Sequence, residues 1–124
     1  MKKSNFLVTG AAGFIGAAVA KKILDEGNFV VTIDNLSTGF IENIPEGVVF
    51  IEGDCSDQEI IDQLKPYRFD TIMHIAGQSS GEISFENPAY DLKTNALSTL
   101  LFLKYAHENG CRKGNLADKG IIVI

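Results

Sequence analysis

Residues 9–16 read Thr-Gly-Ala-Ala-Gly-Phe-Ile-Gly, between an apolar run, Asn5-Phe6-Leu7-Val8, and a helical pattern that begins at Phe14. A glycine-rich turn between a strand and a helix can hold phosphate. Backbone N–H groups at a helix start have no intrahelical partner and lie at the positive end of the dipole. In that arrangement Gly10 permits the tight turn and Gly13 removes a side chain where phosphates must approach. Gly16 lets the helix pack closely on the strand. A second strand, Phe29 to Ile33, ends at Asp34, where a carboxylate can accept hydrogen bonds from a ribose 2′-hydroxyl. The strand–turn–helix context followed by a second strand and an acid makes this a dinucleotide signal rather than a bare glycine match. Asn35, Leu36 and Ser37 come next, with no lysine or arginine among them, so a 2′-phosphate would face an acid without a cation. That favours NAD over NADP.

The same residues admit a competing reading. Lys2 and Lys3, the apolar stretch from Phe6, and Ala18-Val19-Ala20 could pass for a secretory leader. Three evenly placed glycines weaken such an apolar helix, and removing the segment would delete the first strand of a coherent pattern.

The chain has 124 residues, room for one domain at most. An apolar content of 45% and a charged content of 22% fit a folded, soluble protein and argue against disorder. The formal charge of −5 disfavours nucleic acid or an anionic membrane as partner, so any phosphorylated ligand must be held by local backbone dipoles. Cys55 and Cys111 have neither metal nor redox-motif spacing and read as free cytosolic thiols. No apolar stretch reaches the roughly 20 residues that span a bilayer. A cytoplasmic location is expected.

Strand and helix signals alternate, the mark of a parallel α/β sheet. Strands are expected at Phe6 to Thr9, Phe29 to Ile33, Val48 to Ile51 and Thr71 to Ile75. The first helix runs from Phe14 to Glu26 and closes at Gly27. Ser37-Thr38-Gly39 and Ile44-Pro45-Glu46-Gly47 are breakers. Ser56 with Glu59 reads as a capping box opening a short helix that stops before Pro66. Asn87-Pro88 begins the longest helix, with Gly110 as its stop. That helix carries two apolar stripes, Leu92, Ala96, Leu100, Leu103 and Ala106, and Leu97, Leu101 and Tyr105. Either it packs on the sheet with a broad face, or the second stripe forms a subunit interface, giving a dimer through residues 88–109.

With these segments placed, the chain resembles the N-terminal half of the NAD-dependent epimerase/dehydratase family of extended short-chain dehydrogenases, the nucleotide-sugar epimerases and dehydratases. Thr9 to Gly16, Asp34-Asn35-Leu36-Ser37-Thr38-Gly39, Gly53-Asp54 and His74-Ile75-Ala76-Gly77-Gln78-Ser79-Ser80 carry the resemblance, in order, within Asn5 to Lys113. Asn87-Pro88 through Asn95 looks like the family's helix with its structural asparagine.

The resemblance implies a three-layer Rossmann-type parallel sheet in strand order 3-2-1-4 and NAD as cofactor. It puts Gly10, Gly13, Phe14, Ile15 and Gly16 around the pyrophosphate, and Asp34 and Asn35 at the adenosine ribose. Asp54 and Cys55 fall at the adenine edge, the cysteine through its backbone N–H. Ile75, Ala76 and Gly77 fall beside the nicotinamide-side ribose. Asn95 would support the active-site backbone, and Ser79 and Ser80 lie near where relatives hold substrate. His74, at a strand end, reads as packing rather than chemistry.

The family's Tyr-x-x-x-Lys pair, in which lysine lowers the tyrosine pKa so that a phenolate can act as base, has no match here. Tyr67, Tyr90 and Tyr105 are followed at the fourth position by Thr71, Thr94 and Asn109. No catalytic residue is therefore assigned, and no metal. After Lys113 the pattern departs from the family, although Ile121-Ile122-Val123-Ile124 can form a substitute fifth strand. Residues 1–113 are expected to form the NAD-binding domain and 114–124 a divergent tail. Three readings stay open: a truncated epimerase or dehydratase that takes its nucleotide-sugar substrate only when completed by a C-terminal part, a stand-alone NAD-binding or sensing module, and a non-functional product of a frameshift.

Overall fold

The computed structural model describes residues 3–37, 39–75, 96–109 and 120–123. Its elements are β1 (Asn5–Thr9), α1 (Phe14–Asp25), β2 (Phe29–Asp34), a 3₁₀ turn (Ile41–Asn43), β3 (Val49–Glu52), α2 (Gln58–Asp62), β4 (Thr71–His74), α3 (Ser98–Asn109) and β5 (Gly120–Val123). All strand pairs are parallel, in the order β3-β2-β1-β4-β5. The expected 3-2-1-4 sheet is present, and residues 120–123 supply the fifth strand beside β4. The start of the long helix at Asn87-Pro88, its stop at Gly110, Asn95, Ser79 and Ser80 lie outside the described residues.

Strand alternation sorts the core into two clusters. Val8 and Val30, with Phe6 and Met73, face α1 and meet Ala20 and Ile23. Leu7, Val31, Ile33 and Ile72 face the other way and meet Ile61 and Leu64 beside α2 together with Phe102, Tyr105 and Ala106 of α3. Period-two side chains on a sheet buried on both faces produce this sandwich. The outcome is the three-layer α/β arrangement that the sequence implies.

Local signals account for the helix ends, with one correction. Gly27, at φ +91, closes α1 and donates its N–H to the Leu24 carbonyl at 2.9 Å. The capping box is not formed by Ser56. Its N–H and hydroxyl both donate to Asp54 Oδ1, at 2.8 and 2.7 Å, so Asp57 caps α2 by accepting the Glu59 N–H at 3.0 Å. β4 stops one residue early because the Ile75 N–H turns away from the ladder toward Thr9 Oγ1, at 2.8 Å.

The buried face of α3 differs from both expected stripes. Ser98, Phe102, Tyr105 and Ala106 are buried, whereas Leu100 and Leu103 are 60% and 49% exposed. Of the stripe Leu97, Leu101 and Tyr105, the alternative subunit interface, Tyr105 belongs to the core cluster and Leu101 packs against it. The Tyr105 hydroxyl lies 2.9 Å from the carbonyls of Leu64 and Tyr67, which sets the rotation of the helix.

His74 ties three elements together. Its Nδ1 is 2.8 Å from Thr9 Oγ1, its Nε2 is 2.8 Å from Ser98 Oγ, and its ring meets Phe102 edge-on at 4.9 Å. A neutral imidazole has one donor and one acceptor nitrogen, and two hydroxyls satisfy either tautomer. The ring is a packing and hydrogen-bonding element, as expected. Burial pushes its pKa down to about 4 from 6.5.

A histidine depressed in the folded state stabilises least where the unfolded chain takes up a proton that the fold excludes. That contribution is whole above pH 6.5 and is lost as the pH falls toward 4, by on the order of 3 kcal/mol. Urea unfolding between these pH values is expected to show a steeper loss in the wild type than in His74→Gln, with the carboxylate background common to both. Equal slopes would mean that His74 is not held neutral.

Candidate functional site

The carboxyl ends of β1, β2, β3 and β4 converge at one edge of the sheet, the position where open α/β sheets place ligands. Between β1 and β4 the chain order reverses, and the turn after β1 stands at that switch point. The turn is held amide by amide. Gly10 N–H donates to the Ile33 carbonyl at 2.9 Å, and Ala11 N–H to Thr32 Oγ1 at 3.2 Å. Ala12 N–H donates to Asp34 Oδ2 at 3.0 Å, and Gly13 N–H to the Gly10 carbonyl at 3.0 Å.

The next three amides are different. Phe14, Ile15 and Gly16 begin α1, no side chain caps the helix, and their N–H groups have no partner among the described residues. They lie at the positive end of the α1 dipole with no acid in the first turn. The side chains of Phe14 and Ile15 are 91% and 59% exposed, a large apolar surface beside polar, unpaired backbone.

The glycines divide by cause. Gly10 has φ +81, a left-handed conformation that L side chains rarely adopt. At Gly16 a Cβ would sit 2.0 Å from the Gly10 carbonyl oxygen, so its reason is close packing of helix on turn, as expected. At Gly13 a Cβ would meet, among the described residues, that same oxygen at an ordinary 3.4 Å. Its φ is −88, so neither left-handed conformation nor contact with the described residues requires glycine there.

Asp34, nearly buried, uses both carboxylate oxygens on backbone: Oδ2 on Ala12 N–H and Oδ1 on Leu36 N–H at 2.8 Å. The second contact holds Leu36 at φ +61, a strained conformation for a branched side chain. Asn35 is exposed, and its Oδ1 accepts the Ser37 N–H at 3.0 Å.

Gly53 N–H donates to the Asp34 carbonyl at 3.1 Å, which brings Asp54 and Cys55 beside Asp34. Asp54 forms the turn over Ser56 described above. Cys55 is buried, and desolvation, then the charges of Asp54 and Asp34, push its thiol pKa far above the usual range. Burial and the two carboxylates favour the protonated thiol over the thiolate. Ile75 uses its N–H on Thr9 and packs its side chain near the α1-side core. Ala76 and Gly77 lie outside the described residues.

Thr32, Phe40 and Asn43 also hold the turn and were not singled out from sequence. Phe40 N–H and Asn43 Nδ2 each donate to the Ala12 carbonyl at 3.0 Å. Thr32 could have been noticed as the polar residue within Val30-Val31-Thr32-Ile33; Asn43 has no such local signal. Among the described residues no group of three or more His, Cys, Asp or Glu side chains could hold a metal, and no helix is long and apolar enough to cross a membrane.

Because the clash at Gly16 is with backbone, it cannot be relieved by a rotamer change. Gly16→Ala is expected to lower stability by about 1–3 kcal/mol, read as a drop in urea midpoint, while Gly13→Ala stays within about 1 kcal/mol of wild type. A reversed order would overturn this division of roles.

Comparison with known proteins follows the same outline. The family model of the NAD dependent epimerase/dehydratase family matches residues 6–116. The UDP-glucose 4-epimerase of Mycolicibacterium smegmatis is 34% identical over 112 residues, covering 86% of this chain and 36% of that protein. The Streptomyces lividans UDP-glucose 4-epimerase is 36% identical, covering 87% and 33%. Among solved structures, Thermotoga maritima UDP-glucose 4-epimerase with UDP-glucose superposes with a TM-score of 0.83 at 38% identity, covering 86% of this chain and 35% of that one. The Thermus thermophilus UDP-glucose 4-epimerase complex with NAD gives 0.81 at 37% identity, with the same coverage. The chain thus spans about a third of the length of these relatives. With its sheet order, its glycine-rich turn and a family match over nearly all of its length, this chain belongs to the NAD-dependent epimerase/dehydratase family.

Proposed function

We propose that this chain is the NAD-holding part of a nucleotide-sugar epimerase or dehydratase, with residues 1–113 forming the dinucleotide unit and 114–124 adding a strand. The observation that carries the reading is the row of amides at Phe14, Ile15 and Gly16 without a partner among the described residues, beside Gly13, where the described residues leave room for a ligand. These N–H groups suit a pyrophosphate, and the open face at Gly13 lets it approach. Among the described residues Asp34 makes one backbone contact per carboxylate oxygen, which leaves each oxygen a lone pair to accept from a ribose 2′-hydroxyl. Asn35 lies next to it. In this reading Asp54 and the backbone N–H of Cys55 meet the adenine edge, and Ile75 at the end of β4 faces the nicotinamide side. When bound, NAD supplies a hydride acceptor at the sugar carbon.

The chain's own residues bind and orient that group but hold no Tyr-x-x-x-Lys pair to move the proton that must leave with the hydride. The reading is supported by relatives named as UDP-glucose 4-epimerases and by a neighbour solved with NAD. A cytoplasmic location accords with this function. The exposed Leu100 and Leu103 of α3 offer a face for a dimer.

Calorimetric titration of the purified chain is expected to give one NAD per chain. NADP should bind at least about tenfold more weakly, and Asp34→Ala should weaken NAD by a similar factor. Absence of NAD binding by a folded chain would overturn the reading. No conversion of UDP-glucose is expected from the chain alone; turnover in a clean preparation would refute the missing proton-transfer pair as a limit. Sedimentation should show self-association that Leu103→Glu abolishes, and a monomer at high concentration would remove the dimer from the proposal.

A further inference from the structure

We propose that Gly39 and Asn43 are positioning residues for the cofactor site. With the backbone of Phe40 they form a strap that fixes the Ala12–Gly13 peptide and so aims the amides of Phe14, Ile15 and Gly16. The inference rests on the dinucleotide reading of that turn.

The Ala12 carbonyl oxygen accepts from Phe40 N–H and from Asn43 Nδ2, each at 3.0 Å, which fills both of its lone pairs. The N–H of the same peptide plane, that of Gly13, donates to the Gly10 carbonyl at 3.0 Å. A peptide is rigid and planar, so holding its oxygen and its N–H fixes the orientation of the plane. Gly13 is the N-cap of α1, and its carbonyl receives the Ala17 N–H at 2.9 Å. The unpaired amides that follow therefore take their direction from this plane.

Gly39 makes the approach sterically feasible. A Cβ there would stand 2.4 Å from the Ala12 carbonyl oxygen and 2.5 Å from its carbon, both backbone atoms that cannot swing aside. Gly39 does not have positive φ, so alanine would be excluded by space and not by conformation.

The strap adds little to the core. None of Ile41, Glu42 and Asn43 is buried, and Phe40 and Ile41 are 67% and 54% exposed. Both of its hydrogen bonds to the turn, among the described residues, end on the Ala12 carbonyl. Positioning, more than stability, is the consequence of losing them.

The test compares wild type, Asn43→Leu, Asn43→Gln and Gly39→Ala as full chains, by NAD titration, by the melting midpoint without NAD, and by amide exchange at Gly13. Asn43→Leu keeps the size and removes the donor. It should weaken NAD by about tenfold, with a nearly unchanged midpoint and faster exchange at Gly13 but not at Val31 of the central sheet. Asn43→Gln, which retains an amide donor, should recover most of the affinity, and Gly39→Ala should lose at least as much as Asn43→Leu. Wild-type NAD affinity and Gly13 exchange in both Asn43→Leu and Gly39→Ala would overturn the strap and leave the dinucleotide reading intact. A loss of affinity matched by an equal loss of melting midpoint, without rescue by glutamine, would overturn it in favour of a purely structural role. Failure of the folded wild type to bind NAD would remove the dinucleotide reading, and the strap's function with it.

Discussion

Four consecutive backbone amides, from Gly10 to Gly13, are taken up inside the protein, and the character of the site depends on that. Each goes to a different acceptor: the Ile33 carbonyl, the Thr32 hydroxyl, the Asp34 carboxylate and the Gly10 carbonyl. A turn left to itself would have several competing conformations, each with its own set of exposed N–H groups. Here the parallel pairing of β1 with β2 puts Thr9 level with Ile33 and brings the end of β2 against the turn. The first amides left over are those that open α1. Preorganised backbone dipoles cost no reorganisation when an anion arrives, which is the physical advantage of holding the turn this tightly.

Asp34 therefore has two tasks that a residue-by-residue assignment would separate. As the end of β2 it stands at the carboxyl edge of the sheet, where the proposed function gives it a ribose hydroxyl to meet. It also carries the turn through Ala12 and a left-handed Leu36 through its other oxygen. The strain at Leu36 is offset by a charge-assisted hydrogen bond, and an asparagine or alanine at position 34 would disturb recognition and geometry together. The glycines likewise carry two separate constraints, of conformation at Gly10 and of packing at Gly16 and Gly39.

On the opposite face, His74 links the same strand ends to α3. Thr9 immediately precedes the turn, and its hydroxyl serves both the His74 ring and the Ile75 N–H. Ser98 completes the chain of contacts from the helix side. A buried polar triad with each member paired adds specificity of alignment to a core otherwise built from aliphatic and aromatic contacts. It places α3 by directional bonds, where the apolar stripes alone would have allowed another rotation.

Much of the architecture was legible from short-range patterns. Alternating apolar runs revealed the strands, Gly27 the end of α1, and the spacing of Gly10, Gly13 and Gly16 the turn, because these signals arise from backbone sterics within a few residues. The Ser56 cap does not form because a serine's hydroxyl is available to any nearby carboxylate, and Asp54 is closer than the helix. The buried face of α3 is not legible in the sequence because periodicity shows which residues share a side, not what stands opposite. The contacts of Asn43 with Ala12, of Thr32 with Ala11 and of His74 with Thr9 and Ser98 join residues far apart in the chain. No local preference encodes them. Residue order alone established the parallel sheet, the glycine turn and the acid after β2. Only the packed chain decided which amides remain free to meet a ligand, since that depends on which acceptors the fold brings within hydrogen-bond reach.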